Sequence, residues 1–167
     1  NLFCGFFAVI RAINGDFITA VFAIHFLKKN PGADIVYDVR ASWAVPEWIK
    51  KMGGVPHKER VGHTYIKPTM RKHHAVFGGE ISGHYYFADN AYMDSGLIAS
   101  IIMMDILSQE KKTLSELVAG LGAYYVTGEL NYDVADVPAM LKKIENTYAP
   151  TCRIETMDGI SVEADDW

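Results

Sequence analysis

The chain has 167 residues, of which 50% are hydrophobic and 22% charged, with a formal net charge of −4 and two cysteines. That is long enough to bury a real core, with the composition of an ordinary soluble globular protein. A net-negative chain gives no electrostatic reason to expect nucleic acid or an anionic membrane as a partner. Cys4 and Cys152 show no spacing of a metal knuckle, so they read as thiols in a reducing, cytoplasmic compartment.

Along the chain, an apolar segment over residues 1–13 ends in the turn Asn14-Gly15-Asp16. Residues 18–27 follow as a helix, with Ile18, Val21, Phe22, His25 and Phe26 on one stripe, and Asn30-Pro31-Gly32 stops it. A strand is predicted over 33–39. Ser42 is placed to cap the next helix, with Pro46 in its first turn and Gly53-Gly54 at its end. The cycle repeats with a strand over 55–59, a helix over 65–73 with Pro68 in its first turn, and a strand over 75–78.

Residues 94–108 read as a long helix buried on most sides, and Thr113-Leu114-Ser115-Glu116 as a capping box opening a shorter one. Its apolar stretch, interrupted by Asp105, is shorter than the ~20 residues a bilayer-spanning helix needs. Strands alternating with helices imply an α/β layered structure with a largely parallel sheet and flanking helices. Beyond Gly122 the pattern changes to a strand over 124–132, a helix over 136–148 and a hairpin about Asp158-Gly159, an incomplete α+β layer. No signal peptide is visible, and the start at Asn1 and stop at Trp167 suggest an internal piece of a longer protein.

The most informative stretch is Gly78-Gly79-Glu80-Ile81-Ser82-Gly83-His84. Two glycines would let the backbone pass close to a ligand. If the segment is extended, Glu80, Ser82 and His84 share a face, and an acceptor, a hydroxyl and an imidazole together suit vicinal sugar hydroxyls. A polar strand end in a turn is the plainer reading. His63 follows a glycine at a strand-to-helix junction, with Lys67 a turn later, a place where free backbone N–H groups suit phosphate or sugar. Arg40 lies just past a strand end, at the usual ligand-facing edge of an open α/β sheet, or else pairs with Asp38. His73-His74 reads as an exposed, inert pair, His25 as a core histidine, and Met103-Met104 and Tyr85-Tyr86 as packing residues.

These motifs resemble those of the α-D-phosphohexomutases, most closely the bacterial phosphomannomutase/phosphoglucomutase branch. The run at 78–84 is similar to the family's G-E-M-S-G-H sugar-binding loop. Asn30-Pro31-Gly32-Ala33-Asp34-Ile35 through Arg40 resembles N-P-G-A-x-I-x-x-D-x-[KR]. Val61-Gly62-His63-Thr64-Tyr65-Ile66-Lys67 is similar to T-G-H-x-x-I-K. Asp94-Ser95-Gly96 and Met157-Asp158-Gly159-Ile160 match two further elements, in the expected order.

The resemblance implies the tail of a second domain over 1–16, a sugar-binding third α/β domain over 17–122 and an incomplete C-terminal domain over 123–167. It implies a parent enzyme that moves a phosphoryl group between O1 and O6 of a hexose phosphate, through a phosphoserine and a bisphosphorylated intermediate. His63 and Arg40 would then be catalytic, and Gly62, Lys67, Glu80, Ser82 and His84 would bind substrate. A histidine suits proton transfer because imidazole titrates near neutrality. Ile81 stands where this branch has Met, which points to a phosphomannomutase.

The departures matter too. The family's aspartate metal loop would fall on Leu2, Cys4, Phe6 and Phe7, and apolar side chains cannot hold Mg²⁺, which requires oxygen ligands; either the metal site is lost here or residues 1–13 are not the family's own segment. Mg²⁺ is expected for the full-length enzyme, with no ligand in this chain. The serine loop and the last phosphate loop are also missing, so the chain alone is expected to be inactive and to depend on the remaining domains of its parent. The alternative is a non-catalytic sugar-phosphate-binding relative that has lost the metal loop.

Overall fold

The computed structural model describes residues 15–125, 127 and 130–165. They divide into two compact units, one reaching Tyr125 and one beginning beyond it. The expectations for residues 1–13, including those for Leu2, Cys4, Phe6 and Phe7, lie outside the described residues.

In the first unit, α1 (Gly15–Lys29), β1 (Asp34–Asp38), α2 (Ala44–Lys51), β2 (Val55–Glu59) and α3 (His63–His73) lead to β3 (Phe77–Gly79). Then come β4 (Tyr85–Phe87), β5 (Met93–Asp94), α4 (Gly96–Glu110) and α5 (Leu114–Ala119). The strands form a five-stranded sheet in the order β2-β1-β3-β4-β5. β1 runs parallel to β2 and β3, whereas β4 pairs antiparallel with both β3 and β5. The sheet is therefore mixed rather than largely parallel. After β3 the chain folds straight back through a short loop, and a direct return of this kind can only make an antiparallel pair.

Alternation along the strands separates two apolar layers. Ile35, Tyr37, Phe77, Tyr85 and Phe87 pack with Ile18 and Phe22 of α1, Val45 and Ile49 of α2, and Met103 and Ile106 of α4. Val36 and Tyr86 face the other way, against Ile66 and Met70 of α3. The result is helices on both faces of one sheet. Gly78 and Gly79 allow this close approach. A Cβ on Gly78 would lie 2.7 Å from Met70 Sδ, and one on Gly79 would lie 2.6 Å from Thr19 Cγ2. The paired glycines thus make room for the two helix layers, which corrects the expectation that they open space for a ligand.

Three local expectations also change. The residue before α2 is Trp43, without a side-chain cap, and Ser42 Oγ is buried without a partner. Pro68 lies inside α3, beyond its first turn, because the helix starts earlier, at His63. Only one side of α4 meets the sheet, so Met103 and Ile106 are buried while Leu97, Ile101 and Met104 stay more than half exposed. The capping box is as expected: Thr113 and Glu116 bond each other's backbone N–H groups at the start of α5.

In the second unit, Asp136 caps α6 (Val137–Tyr148) by accepting from the Ala139 N–H. β6 (Arg153–Glu155) and β7 (Ser161–Glu163) form an antiparallel hairpin. Gly159, at φ +87°, supplies the left-handed residue of its turn. The strand predicted over 124–132 is absent among the described residues of that range. Among the described residues no helix is long and apolar enough to cross a membrane.

Candidate functional site

The carboxyl ends of β1, β2 and β3 lead into three segments that meet around an open cleft of about 460 Å³. Its lining includes Arg40, Gly62, His63, Lys67, Glu80, Ser82 and His84, which brings together every residue that the resemblance assigned to catalysis or substrate binding. They are joined by Val61, Tyr86 and Asp94. A crevice outside the strand carboxyl ends is where open α/β sheets bind ligands.

The loop from Glu80 to His84 is built by turn geometry and is not an extended strand. The Glu80 N–H donates to the His84 carbonyl at 2.9 Å, the Gly83 N–H donates to the Glu80 carbonyl at 3.0 Å, and Gly83 takes φ +87°. The alternation argument for residues 80, 82 and 84 therefore fails, although the loop still brings all three to the cleft wall. Two anchors fix this loop from behind. Asp38, fully buried, accepts from the Ile81 N–H at 2.7 Å and from the Arg40 N–H at 2.8 Å. Gly15, at the start of α1, sits so close that a Cβ there would lie 2.0 Å from the Ile81 carbonyl oxygen.

Glu80 is almost wholly buried, and its carboxylate is held from two sides. The Tyr86 hydroxyl donates a short hydrogen bond to Oε1, and Ser82 Oγ lies 3.4 Å from Oε2. Burial, and then the bond to Glu80, raise the Tyr86 phenol well above its ordinary range, so it stays a donor. His84 Nδ1 lies 2.7 Å from Asp94 Oδ2, while Asp94 Oδ1 accepts the Tyr85 N–H at 3.0 Å. A carboxylate on one ring nitrogen orients the imidazole and leaves the other nitrogen for a ligand.

Gly62, also in the lining, precedes α3 at φ 111° and offers no side-chain cap. His63 and Lys67 lie on the helix's first turns, where the positive end of the dipole favours an anion. Lys67 Nζ lies 6.0 Å from the Tyr86 ring centroid. Arg40 pairs with Asp38, as the plainer reading had it, with Nη2 3.4 Å from Oδ2, and the residue also lines the cleft. The cleft lining therefore combines cations and a helix N-terminus with a carboxylate, a hydroxyl and an oriented imidazole. Such a lining can hold an anionic group and hydroxyls of one ligand.

Asp94 and Tyr86 were missed as site residues. Asp94 had a signal in the Asp94-Ser95-Gly96 motif, read there only as a helix start. Tyr86 had none, because a tyrosine in an apolar run reads as packing. The cleft does not fit Mg²⁺: its carboxylates are engaged, Glu80 by Tyr86 and Asp94 by His84 and a backbone N–H. The reading of His73-His74 as an exposed pair holds only for His74, because His73 is partly buried with its ring stacked on His57, centroids 3.9 Å apart.

Known proteins share this sequence pattern and fold. Residues 14–125 match the family model described as phosphoglucomutase/phosphomannomutase, alpha/beta/alpha domain III. The chain is 41% identical over 152 residues to a phosphomannomutase of Methanocaldococcus jannaschii, covering 91% of this chain and 34% of that protein. It is 38% identical over 157 residues to a phosphomannomutase of Escherichia coli, covering 93% of this chain and 34% of that protein. A solved structure of a phosphoglucomutase/phosphomannomutase family protein from Burkholderia thailandensis superposes with a TM-score of 0.76 at 31% identity, over 92% of this chain and 33% of that one.

The fold is a helix-sheet-helix domain with an open cleft at the carboxyl ends of its parallel strands. The chain belongs to the phosphoglucomutase/phosphomannomutase family, and it spans about a third of the length of the curated relatives it matches.

Proposed function

We propose that the full protein to which this chain belongs is a phosphomannomutase/phosphoglucomutase that interconverts hexose 1-phosphate and hexose 6-phosphate, and that this chain supplies its sugar recognition. The observation that carries the proposal is the convergence of Arg40, His63, Lys67, Glu80, Ser82 and His84 on one cleft at the strand carboxyl ends. Glu80 and Ser82 would accept and donate to neighbouring hydroxyls. Arg40 and Lys67 would hold the phosphate, with Arg40 as a fixed cation, since guanidinium stays protonated. His63 is assigned to proton transfer at the reacting hydroxyl.

The phosphoryl donor, a phosphoserine passing through a bisphosphorylated intermediate, would come from the other domains of the parent chain, as would the oxygen ligands of Mg²⁺. Catalysis of this type rests on positioning and electrostatics, which the cations and polar groups of the cleft would supply. The proposed setting is cytoplasmic, where thiols such as Cys152 stay reduced.

The test is to express the complete coding sequence and assay mannose 1-phosphate and glucose 1-phosphate. Turnover of either, lost in the 167-residue chain alone, supports the reading, with mannose 1-phosphate expected to be preferred. Hexose phosphate binding without turnover by the complete protein would instead make it a non-catalytic relative.

A further inference from the structure

At the far end of α3 from the cleft, three side chains converge that sequence spacing keeps apart. Asp34 opens β1, His57 is central in β2, and His73 ends α3. The parallel register sets Val36 opposite His57, so Asp34, two residues earlier, lies on the same face and diagonal to it. α3 returns across that face and delivers His73. One ligand atom from each of the three lies within 4.8 Å of the others, and all three are partly buried. His57 Nε2 is 2.5 Å from Asp34 Oδ1, and the two imidazole planes meet at 29°.

A simple His–Asp pair would need no third member, yet the second imidazole is laid over the first. We propose that Asp34, His57 and His73 form a binding site for a divalent transition-metal ion of the zinc class. Two imidazoles and one carboxylate are a donor set that suits zinc, cobalt or nickel, whereas magnesium and calcium favour oxygen ligands alone. Water would complete the coordination. Capture requires the stacked rings to turn so that their nitrogens converge. His73 has freedom for this, because it is the last helical residue and is followed by His74 in the left-handed conformation at φ 53°. The ion would tie the end of α3 to the two parallel strands, and its role is structural, since the cleft lies at the other end of that helix.

The test uses the untagged 167-residue chain, freed of metal by a chelator and titrated with Zn²⁺ against a competing chromophoric ligand, and separately with Co²⁺. One equivalent should bind in the micromolar range or tighter, unaffected by millimolar Mg²⁺, and Co²⁺ should give the strong visible bands of low coordination. His73→Ala should weaken Zn²⁺ binding at least tenfold with an unchanged far-ultraviolet circular dichroism spectrum, and His57→Ala and Asp34→Asn should also weaken it. His84→Ala, in the cleft, should leave binding intact. Absence of saturable Zn²⁺ binding overturns the proposal. So does binding that survives His73→Ala, or binding lost in His84→Ala, which would place the ion elsewhere.

Discussion

The two compact units differ most in what they bury. The first has a continuous core around Phe22, Phe77 and Tyr85, with ring centroids 5.6 Å apart for Phe22 and Phe77 and 4.8 Å apart for Phe22 and Tyr85. In the second, no described residue is fully buried, and α6 leaves Val137, Met140, Leu141 and Tyr148 exposed at helical spacing. Both units contain side-chain-capped helices, by Ser95 and Thr113 in the first and by Asp136 in the second. Local signals alone therefore shape a segment without giving it a core, since most of a helix's stability comes from the face it buries.

The sharpest test of that difference is a pair of truncations. Phe22→Ala should cost about 3–5 kcal/mol, because it removes a fully buried ring with aromatic neighbours. Leu141→Ala, on the open stripe of α6, should change stability by no more than about 0.5 kcal/mol. Urea unfolding of the two variants measures both. Similar losses would mean that α6 is packed as tightly as α1.

A second substitution tests the join between core and cleft. Gly15→Ala would drive a methyl into the Ile81 carbonyl oxygen, and backbone cannot yield as a flexible side chain can. The expected cost is about 1–3 kcal/mol in stability, typical of overpacking. Substrate affinity in the complete protein should fall as well, because the 80–84 loop must shift. A stable variant with unchanged affinity would show that the loop does not depend on α1 for its position.

How much of this was legible in the sequence follows the same physical division. Elements set by short-range chemistry, such as the Thr113–Glu116 box, the Asp158-Gly159 turn and the β1 and β2 strands, were readable from a few neighbouring residues. Elements set by tertiary partners were not. The apolar residues of α4 are spread around the helix and do not reveal which side meets the sheet. Gly78-Gly79 reads as ligand space until Met70 and Thr19 are seen against it. Seven of the residues that line the cleft were named through motif resemblance. The reason given for Glu80, Ser82 and His84 was wrong, since a hairpin loop, not strand alternation, brings them together. Asp38 escaped notice as an anchor because its partner Ile81 lies 43 residues away in sequence.

A third prediction concerns the cleft directly. Glu80→Gln keeps the shape but removes the charge that accepts from Tyr86 and Ser82. Turnover or hexose phosphate affinity in the complete protein should fall by about 1–3 kcal/mol of binding or activation free energy, the usual worth of a charge-assisted hydrogen bond. Global stability should change much less than in Phe22→Ala. A variant with unaltered kinetics would reduce Glu80 to a structural partner of Tyr86.

The smallest effect should appear on acidification, and it too should separate the units. His25 of α1 is largely buried, and its imidazole is held below the ordinary histidine range. Burial is the main cause; Lys29 and Lys28 act in the same direction, against Asp105 and Glu110. A histidine harder to protonate when folded than when unfolded contributes stability that is complete above its ordinary pKa, near 6.5. That contribution is lost as the pH falls through that value towards the lower folded one. Glu110, lowered chiefly by its bond to Lys28, gives up its contribution only below the usual carboxylate range, so the two windows do not coincide. Amide hydrogen exchange, with chelator present and corrected for intrinsic rates, should show protection in α1 declining between about pH 7 and pH 5, while α6 responds little. His25→Leu should flatten that decline. An unchanged slope in the variant would assign the acid sensitivity to His73, which is also held low, by burial and by His57, on the opposite face of the sheet.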